Sequence, residues 1–152
     1  MTVLSFHSPL GELTVAEENG RIVSLDWGRA PDEFQAETPL LVRAREQLDR
    51  YFDGGTTGFD LPLAPEGSTF ERRVWDAMLA IPPGSTRTYG ALAAELAASA
   101  RAIGTACGAN PIPIIIPCHR IVAADGGLGG HSGSGGAQTK LALLRLEGAI
   151  LL

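Results

Sequence analysis

The sequence predicts an α+β fold in which a small antiparallel N-terminal sheet plus helix joins a mostly helical C-terminal half. Three observations predict it. Strand-like alternation is confined to the segment ending at Trp27, helical spacing of apolar residues begins at Pro39, and a stretch rich in Gly and Pro (Gly58, Pro62, Pro65, Gly67) separates two differently patterned halves. The expected domains are residues 1–66 and 67–152.

Val3-Leu4-Ser5-Phe6 reads as a first strand, and Ser8-Pro9-Leu10-Gly11 as a turn. Glu12-Leu13-Thr14-Val15-Ala16 then alternates polar and apolar residues. Asn19-Gly20 is a strong hairpin signal, because both central residues of a type I′ turn need positive φ, and Arg21–Trp27 follows as a third strand. Together they predict a meander with one buried face. A helix is expected from Pro39 through Leu41, Ala44, Leu48, Tyr51 and Phe52, ended by Gly54-Gly55.

In the second half, Ser68 or Thr69 with Glu71 forms a capping-box pattern before a helix over Phe70–Ala80, which Pro82-Pro83-Gly84 stops. Two Ala-rich helices are expected at Tyr89–Ala97 and Ala100–Gly108, with only Ala98 and Ser99 between them, a helix–turn–helix. Ile114-Ile115-Ile116 reads as a buried strand leading into Pro117-Cys118-His119-Arg120. A glycine-dense segment from Gly126 to Gly136 precedes a last helix over Ala137–Glu147.

The chain has 152 residues, 45% hydrophobic and 19% charged, with a mean hydropathy of +0.11. That suffices for a packed core and excludes a disordered chain. No apolar run approaches the roughly 18–20 residues that span a bilayer, and the N-terminus lacks the pattern of a secretion signal. Two cysteines cannot build a disulfide framework, so reduced thiols and a cytoplasmic location are expected, with no membrane partner. The net charge of −5 argues against nucleic acid when taken whole, but it is unevenly spread. Residues 1–67 carry five Arg against twelve acids, a balance of −7, whereas residues 68–152 carry seven cations against five acids, a balance of +2.

Cys118 is the most informative residue. A thiol becomes nucleophilic when cations or hydrogen-bond donors favour its thiolate, and His119 and Arg120 follow it directly. The alternative at this point is a small buried hydrophobe, the commonest fate of a free cysteine. On an extended segment adjacent side chains point to opposite faces, so His119 would need a bend or a bridging water to serve the sulfur. Cys107 reads as helix packing, and His7 and His131 as solvated polar residues. Scattered histidines without neighbouring ligands make no metal site, and no cofactor is implied. The helix–turn–helix is generic, although Arg87 and Arg101 flank its helices, and a helix N-terminus can receive a phosphate.

Pro117-Cys118-His119-Arg120, preceded by Asn110-Pro111-Ile112-Pro113 and followed by Ser134-Gly135-Gly136, resembles the active-site signature of the O6-alkylguanine-DNA alkyltransferases. Thr88-Tyr89-Gly90, Arg101-Ala102-Ile103-Gly104 and Leu146-Glu147-Gly148 match the same family in order and spacing, so the resemblance covers residues 68–152. Residues 1–66 are similar in architecture alone, a ribonuclease H-like sheet plus helix.

The resemblance implies a monomer that binds double-stranded DNA in the minor groove and flips an O6-alkylguanine (O4-alkylthymine is a second candidate) out of the stack. Cys118 would then take the alkyl group irreversibly, once per molecule. It further implies that His119 is the base through a water, held by Glu147, and that Tyr89 donates a proton to the departing base. Asn110 would tie the recognition helix to the active-site turn, and Arg101 would fill the vacated space in the duplex. Tyr89, Ala102, Thr105, Ala106 and Arg120 would lie at the DNA, and Pro113, Ser134, Gly135 and Gly136 at the substrate pocket. Two positions and one turn depart from the family pattern: Gly133 replaces an aromatic residue, Gly108 stands where Arg is frequent, and the turn between the two helices is short. Relatives that only flag lesions replace the reactive cysteine, so Cys118 disfavours a non-catalytic lesion-binding protein. An unrelated cysteine hydrolase or thiol-redox protein would need a different set of partners around Cys118.

Overall fold

The computed structural model describes residues 1–55, 58–125, 127 and 136–149. Strands β1 (Thr2–Ser8), β2 (Gly11–Glu18) and β3 (Arg21–Trp27) form the expected antiparallel meander in the order β1-β2-β3. Asn19 and Gly20 both have positive φ, 53° and 76°, as a type I′ hairpin requires. The register pairs Leu4 with Val15 and Phe6 with Leu13, which stacks apolar residues on one face. Helix α1 (Pro39–Gly54), capped by Thr38, lays Leu41, Ala44, Leu48 and Tyr51 on that face.

Glycine at position 55 is required twice over. It ends α1 in the left-handed conformation at φ 70°, and a Cβ there would collide with the backbone carbonyl of Leu146. The end of α1 is thereby brought against the end of the last helix, α5 (Ala137–Leu146).

In the second half, α2 (Thr69–Leu79) starts at a complete capping box between Ser68 and Glu71. The indole of buried Trp75 in α2 donates to the carbonyl of Ala106 at 2.9 Å, fixing α2 to α4 (Ala100–Gly108). Strand β4 (Arg87–Thr88) pairs in parallel with β5 (Ile121–Val122). Helix α3 (Tyr89–Glu95) begins directly after β4, and the Cys118–Arg120 turn runs directly into β5. The two-residue ladder joins the segment before α3 to the segment after the cysteine turn, and Tyr89 and Cys118 line one cavity.

Two expected elements differ. Helix α3 stops at Glu95, so the connection to α4 is the four residues 96–99 rather than Ala98-Ser99. Ala97 takes the left-handed conformation at φ 54°, and Ala98 N–H closes on Ala93 O. An Ala-rich run gives no sign of such a cap, since glycine normally marks it. The Ile114–Ile116 segment is no strand. Pro111, Pro113 and Pro117 remove the donors a ladder needs, and the chain folds on itself, with Ile116 N–H bonded to Ile112 O and Ile114 at φ 73°. A β-branched residue is strongly disfavoured there, so the surrounding bonds must hold it.

Candidate active site

The turn that presents Cys118 is built from these prolines. Pro117, at φ −83° and ψ 67°, forms an inverse γ-turn closed by Cys118 N–H to Ile116 O at 2.8 Å. Cys118–Arg120 then make a single 3₁₀ turn instead of extended chain, which supplies the bend that His119 needs. Asn110, two residues past α4, pins the turn from the other side. Its amide donates to Ile116 O at 2.8 Å, and its carbonyl accepts from Ile112 N–H at 2.9 Å.

Cys118 is 5% exposed and opens into a cavity of about 740 Å³, lined also by Tyr89, Arg101, Gly104 and Cys107. That volume is within the roughly 300–1,000 Å³ typical of small-molecule pockets. Burial pushes the Cys118 thiol up, while donation from the Asn110 amide, the charge of Lys140 and the backbone N–H groups of Cys118 and His119 oppose it.

Behind the sulfur lies a closed polar cluster. His119 Nε2 is 2.6 Å from Glu147 Oε2, and Arg120 holds the same carboxylate through Nε at 2.9 Å and Nη2 at 2.8 Å. Arg120 Nη1 donates to Ile81 O at 2.6 Å. Tyr51, from α1, donates its hydroxyl to Glu147 Oε2 at 2.6 Å. Burial pushes the Glu147 carboxyl up, but its bonds from His119, Arg120 and Tyr51, with the charge of His119, hold it down to about 2. Burial first, then the Arg120 and Lys140 charges, press His119 below its usual range against the pull of Glu147. An ionised carboxylate only accepts, so His119 carries its proton on Nε2. Nδ1, buried and without a partner among the described residues, is left as the basic nitrogen.

Of the residues expected at the site, Cys118, His119, Glu147, Tyr89 and Asn110 are brought together. Arg101 is exposed at the start of α4 and lines the cavity. Thr105 is exposed and Ala102 half-buried on the same helix. Two expected DNA contacts are corrected. Arg120 is 6% exposed and its guanidinium is committed to Glu147 and Ile81, while Ala106 is 1% exposed and its carbonyl is bonded to Trp75 of α2. Pro113 and Gly136 are half-buried and are not among the described residues lining the cavity. Ser134 and Gly135, with Gly133 and His131, lie outside the described residues.

Three residues escaped the sequence reading. Lys140 is fully buried, with Nζ 3.4 Å from the Tyr89 hydroxyl and 5.5 Å from the centre of its ring. Burial lowers its pKa against the opposing influence of Cys107 and Cys118. Positions 140, 143, 144 and 147 share one helical face, so the stripe through Leu143 and Leu144 could have flagged Lys140. Cys107 faces the cavity as well as the core, and Tyr51 was hidden in the apolar stripe of α1. Among the described residues no helix is long and apolar enough to cross a membrane, and no cluster could hold a metal.

Residues 2–65 match the family model described as 6-O-methylguanine DNA methyltransferase, ribonuclease-like domain, and residues 69–149 match its DNA binding domain. The chain is 40% identical over 152 residues to a methylated-DNA--protein-cysteine methyltransferase of Methanosarcina acetivorans, covering 95% of this chain and 96% of that one. It is 38% identical to the constitutive enzyme of that name in Bacillus subtilis, covering 92% and 91%. The crystal structure of Mycobacterium tuberculosis OGT in complex with DNA superposes with a TM-score of 0.85 at 40% identity, over 98% of this chain and 94% of that one. With both halves matched and the cysteine turn, histidine and carboxylate assembled, the chain belongs to the O6-methylguanine DNA methyltransferase family.

Proposed function

We propose that the protein repairs DNA directly, moving the alkyl group of O6-alkylguanine onto Cys118 in a single irreversible turnover. The observation that carries this reading is the cavity that joins the Cys118 sulfur to Tyr89 and to Arg101 on the recognition helix α4. We divide the chain near residue 66, with residues 67–152 as the DNA-binding and transfer domain. It acts as a monomer on double-stranded DNA in the cytoplasm.

α4 enters the minor groove, Arg101 occupies the space left by the extruded nucleotide, and the purine enters the cavity. Cys118 gives its proton through one water to His119 Nδ1, and Glu147 stabilises the imidazolium that results. The thiolate attacks the alkyl carbon in line. The carbon–O6 bond breaks, and its electron pair returns to the purine. Tyr89 protonates the departing base; burial pushes its phenol up to about 12, and Lys140 stands at its oxygen to stabilise the phenolate left behind. The thioether has no easy leaving group, so the sulfur is consumed.

The test is a duplex carrying one O6-methylguanine, followed by chromatography of its nucleosides. The wild-type protein is expected to restore guanine in a one-to-one ratio with protein. Cys118→Ala should bind the duplex and restore none. Retention of the lesion by the wild-type protein, even with tight binding, would replace this reading with that of a lesion-flagging protein.

A further inference from the structure

We propose that Tyr51 is a positioning residue for the transfer: its hydroxyl, carried from the N-terminal half on α1, orients the Glu147 carboxylate and thereby sets how readily His119 takes the Cys118 proton. The inference rests on the Cys118–His119–Glu147 relay and extends it across the molecule.

Three features place Tyr51 there. Its ring is fully buried and held by Phe52 and Phe59, each with centroids at 5.4 Å, so the hydroxyl has one direction to point. Gly55 lets the end of α1 approach the backbone of Leu146, the residue before Glu147. The hydroxyl then donates at 2.6 Å to Oε2, the same oxygen that receives His119. A buried tyrosine needs some acceptor, but this one is shared with the base of the reaction.

The consequence follows from charge. Every donor on Glu147 withdraws negative potential that His119 would otherwise feel. Arg120 does so from the same turn, Tyr51 from α1, and Lys140 adds its own repulsion from α5. Tyr51 is the neutral member of this set, so removing its hydroxyl changes the field on His119 without removing a formal charge. Glu147 then attracts the imidazolium more strongly, and His119 titrates at higher pH.

The experiment compares full-length wild-type protein with Tyr51→Phe, each carrying ¹⁵N-labelled histidine, by NMR titration of the imidazole nitrogens and by single-turnover transfer from pH 5 to 9. His119 should show the Nε2–H tautomer in the wild type. In Tyr51→Phe its titration should move up by about half to one unit, and the acid limb of the transfer rate should move with it. Site-specific 3-fluorotyrosine at position 51, a stronger donor that keeps the ring and hydroxyl, should move both in the opposite direction; it decides the matter if Tyr51→Phe fails to fold. An unmoved His119 titration, or a rate lowered equally at every pH, would overturn the proposal and leave Tyr51 a packing residue. The NMR arm needs no alkyl transfer, so a wild-type protein that fails to repair the lesion would count against the proposed function and not against Tyr51.

Discussion

Two walls of one cavity each carry a thiol. Cys107 lies in the last turn of α4 and is 8% exposed, whereas Cys118 opens the 3₁₀ turn opposite and is 5% exposed. Burial pushes both thiols up, Cys107 to about 12. They differ in what surrounds the sulfur. Among the described residues Lys140 lowers Cys107, and Cys118 itself opposes it. Cys118 has Lys140 together with the Asn110 amide and two backbone N–H groups, and behind it stands a histidine whose Nδ1 has no partner among the described residues. Burial therefore does not distinguish a nucleophile from a packing thiol. Donors aimed at the sulfur and an acceptor for its proton do so.

Breaking the acceptor side should have the largest effect. Glu147→Gln leaves Arg120 buried without its counter-charge, which destabilises by about 3–5 kcal/mol in comparable cases. It also removes the group that fixes the His119 tautomer, so the transfer rate at a temperature well below unfolding should fall by about 10³-fold. Thermal unfolding and single-turnover kinetics measure the two effects. The same carboxylate predicts the acid behaviour of the wild type. Its folded pKa of about 2 lies below the unfolded 4.5, so its stabilisation is complete above 4.5 and is lost as pH falls toward 2, about 3 kcal/mol in all. His119, lowered by burial, adds a loss that begins below 6.5, because the unfolded imidazole binds a proton that the folded one does not. Denaturant unfolding between pH 7 and 3 should show this fall, and Glu147→Gln should flatten its lower part.

Weakening the donor side should have a smaller effect. Asn110→Ala removes the amide aimed at Cys118 and frees the Ile112–Ile116 turn, leaving Ile112 N–H and Ile116 O without that partner. Transfer should slow by about 10²-fold and stability fall by about 1–3 kcal/mol. A change confined to stability would show that the amide serves the turn and not the thiolate.

The same contrast explains how far the sequence could be read. The meander and the helices were legible because their side chains repeat with period 2 or 3.6 and their ends carry Asn-Gly, Pro39, Ser68 and Gly55. The cysteine turn has no period. Ile114–Ile116 looks like a strand, and its proline neighbours forbid one. The motif named Cys118, His119 and Glu147, which the fold brings together, yet placed Arg120 at the DNA, because a motif gives residue types and not the direction in which a guanidinium points. Tyr51 and Lys140 were missed for the opposite reason. Each occupies a core position of an amphipathic helix, and what distinguishes it is a partner 96 residues away for Tyr51 and 51 for Lys140.

The smallest effect belongs to the outer end of the Cys107 wall. Gly108 is exposed, and a Cβ there would meet no described residue within 4 Å, so Gly108→Arg should be accommodated. One added phosphate contact should tighten duplex binding several-fold and steepen the logarithmic salt dependence by about one. Binding isotherms at several salt concentrations read both, and an unchanged slope would place this end of α4 away from the phosphates.

The direct test of the contrast between the two thiols is to find the methyl group itself. After reaction with an O6-methylguanine duplex, the protein is digested and each cysteine peptide is weighed. One methyl on the Cys118 peptide and none on the Cys107 peptide is the predicted result. Methyl on Cys107, or divided between the two, would contradict the claim that the turn and its histidine, rather than exposure to the cavity, select the sulfur.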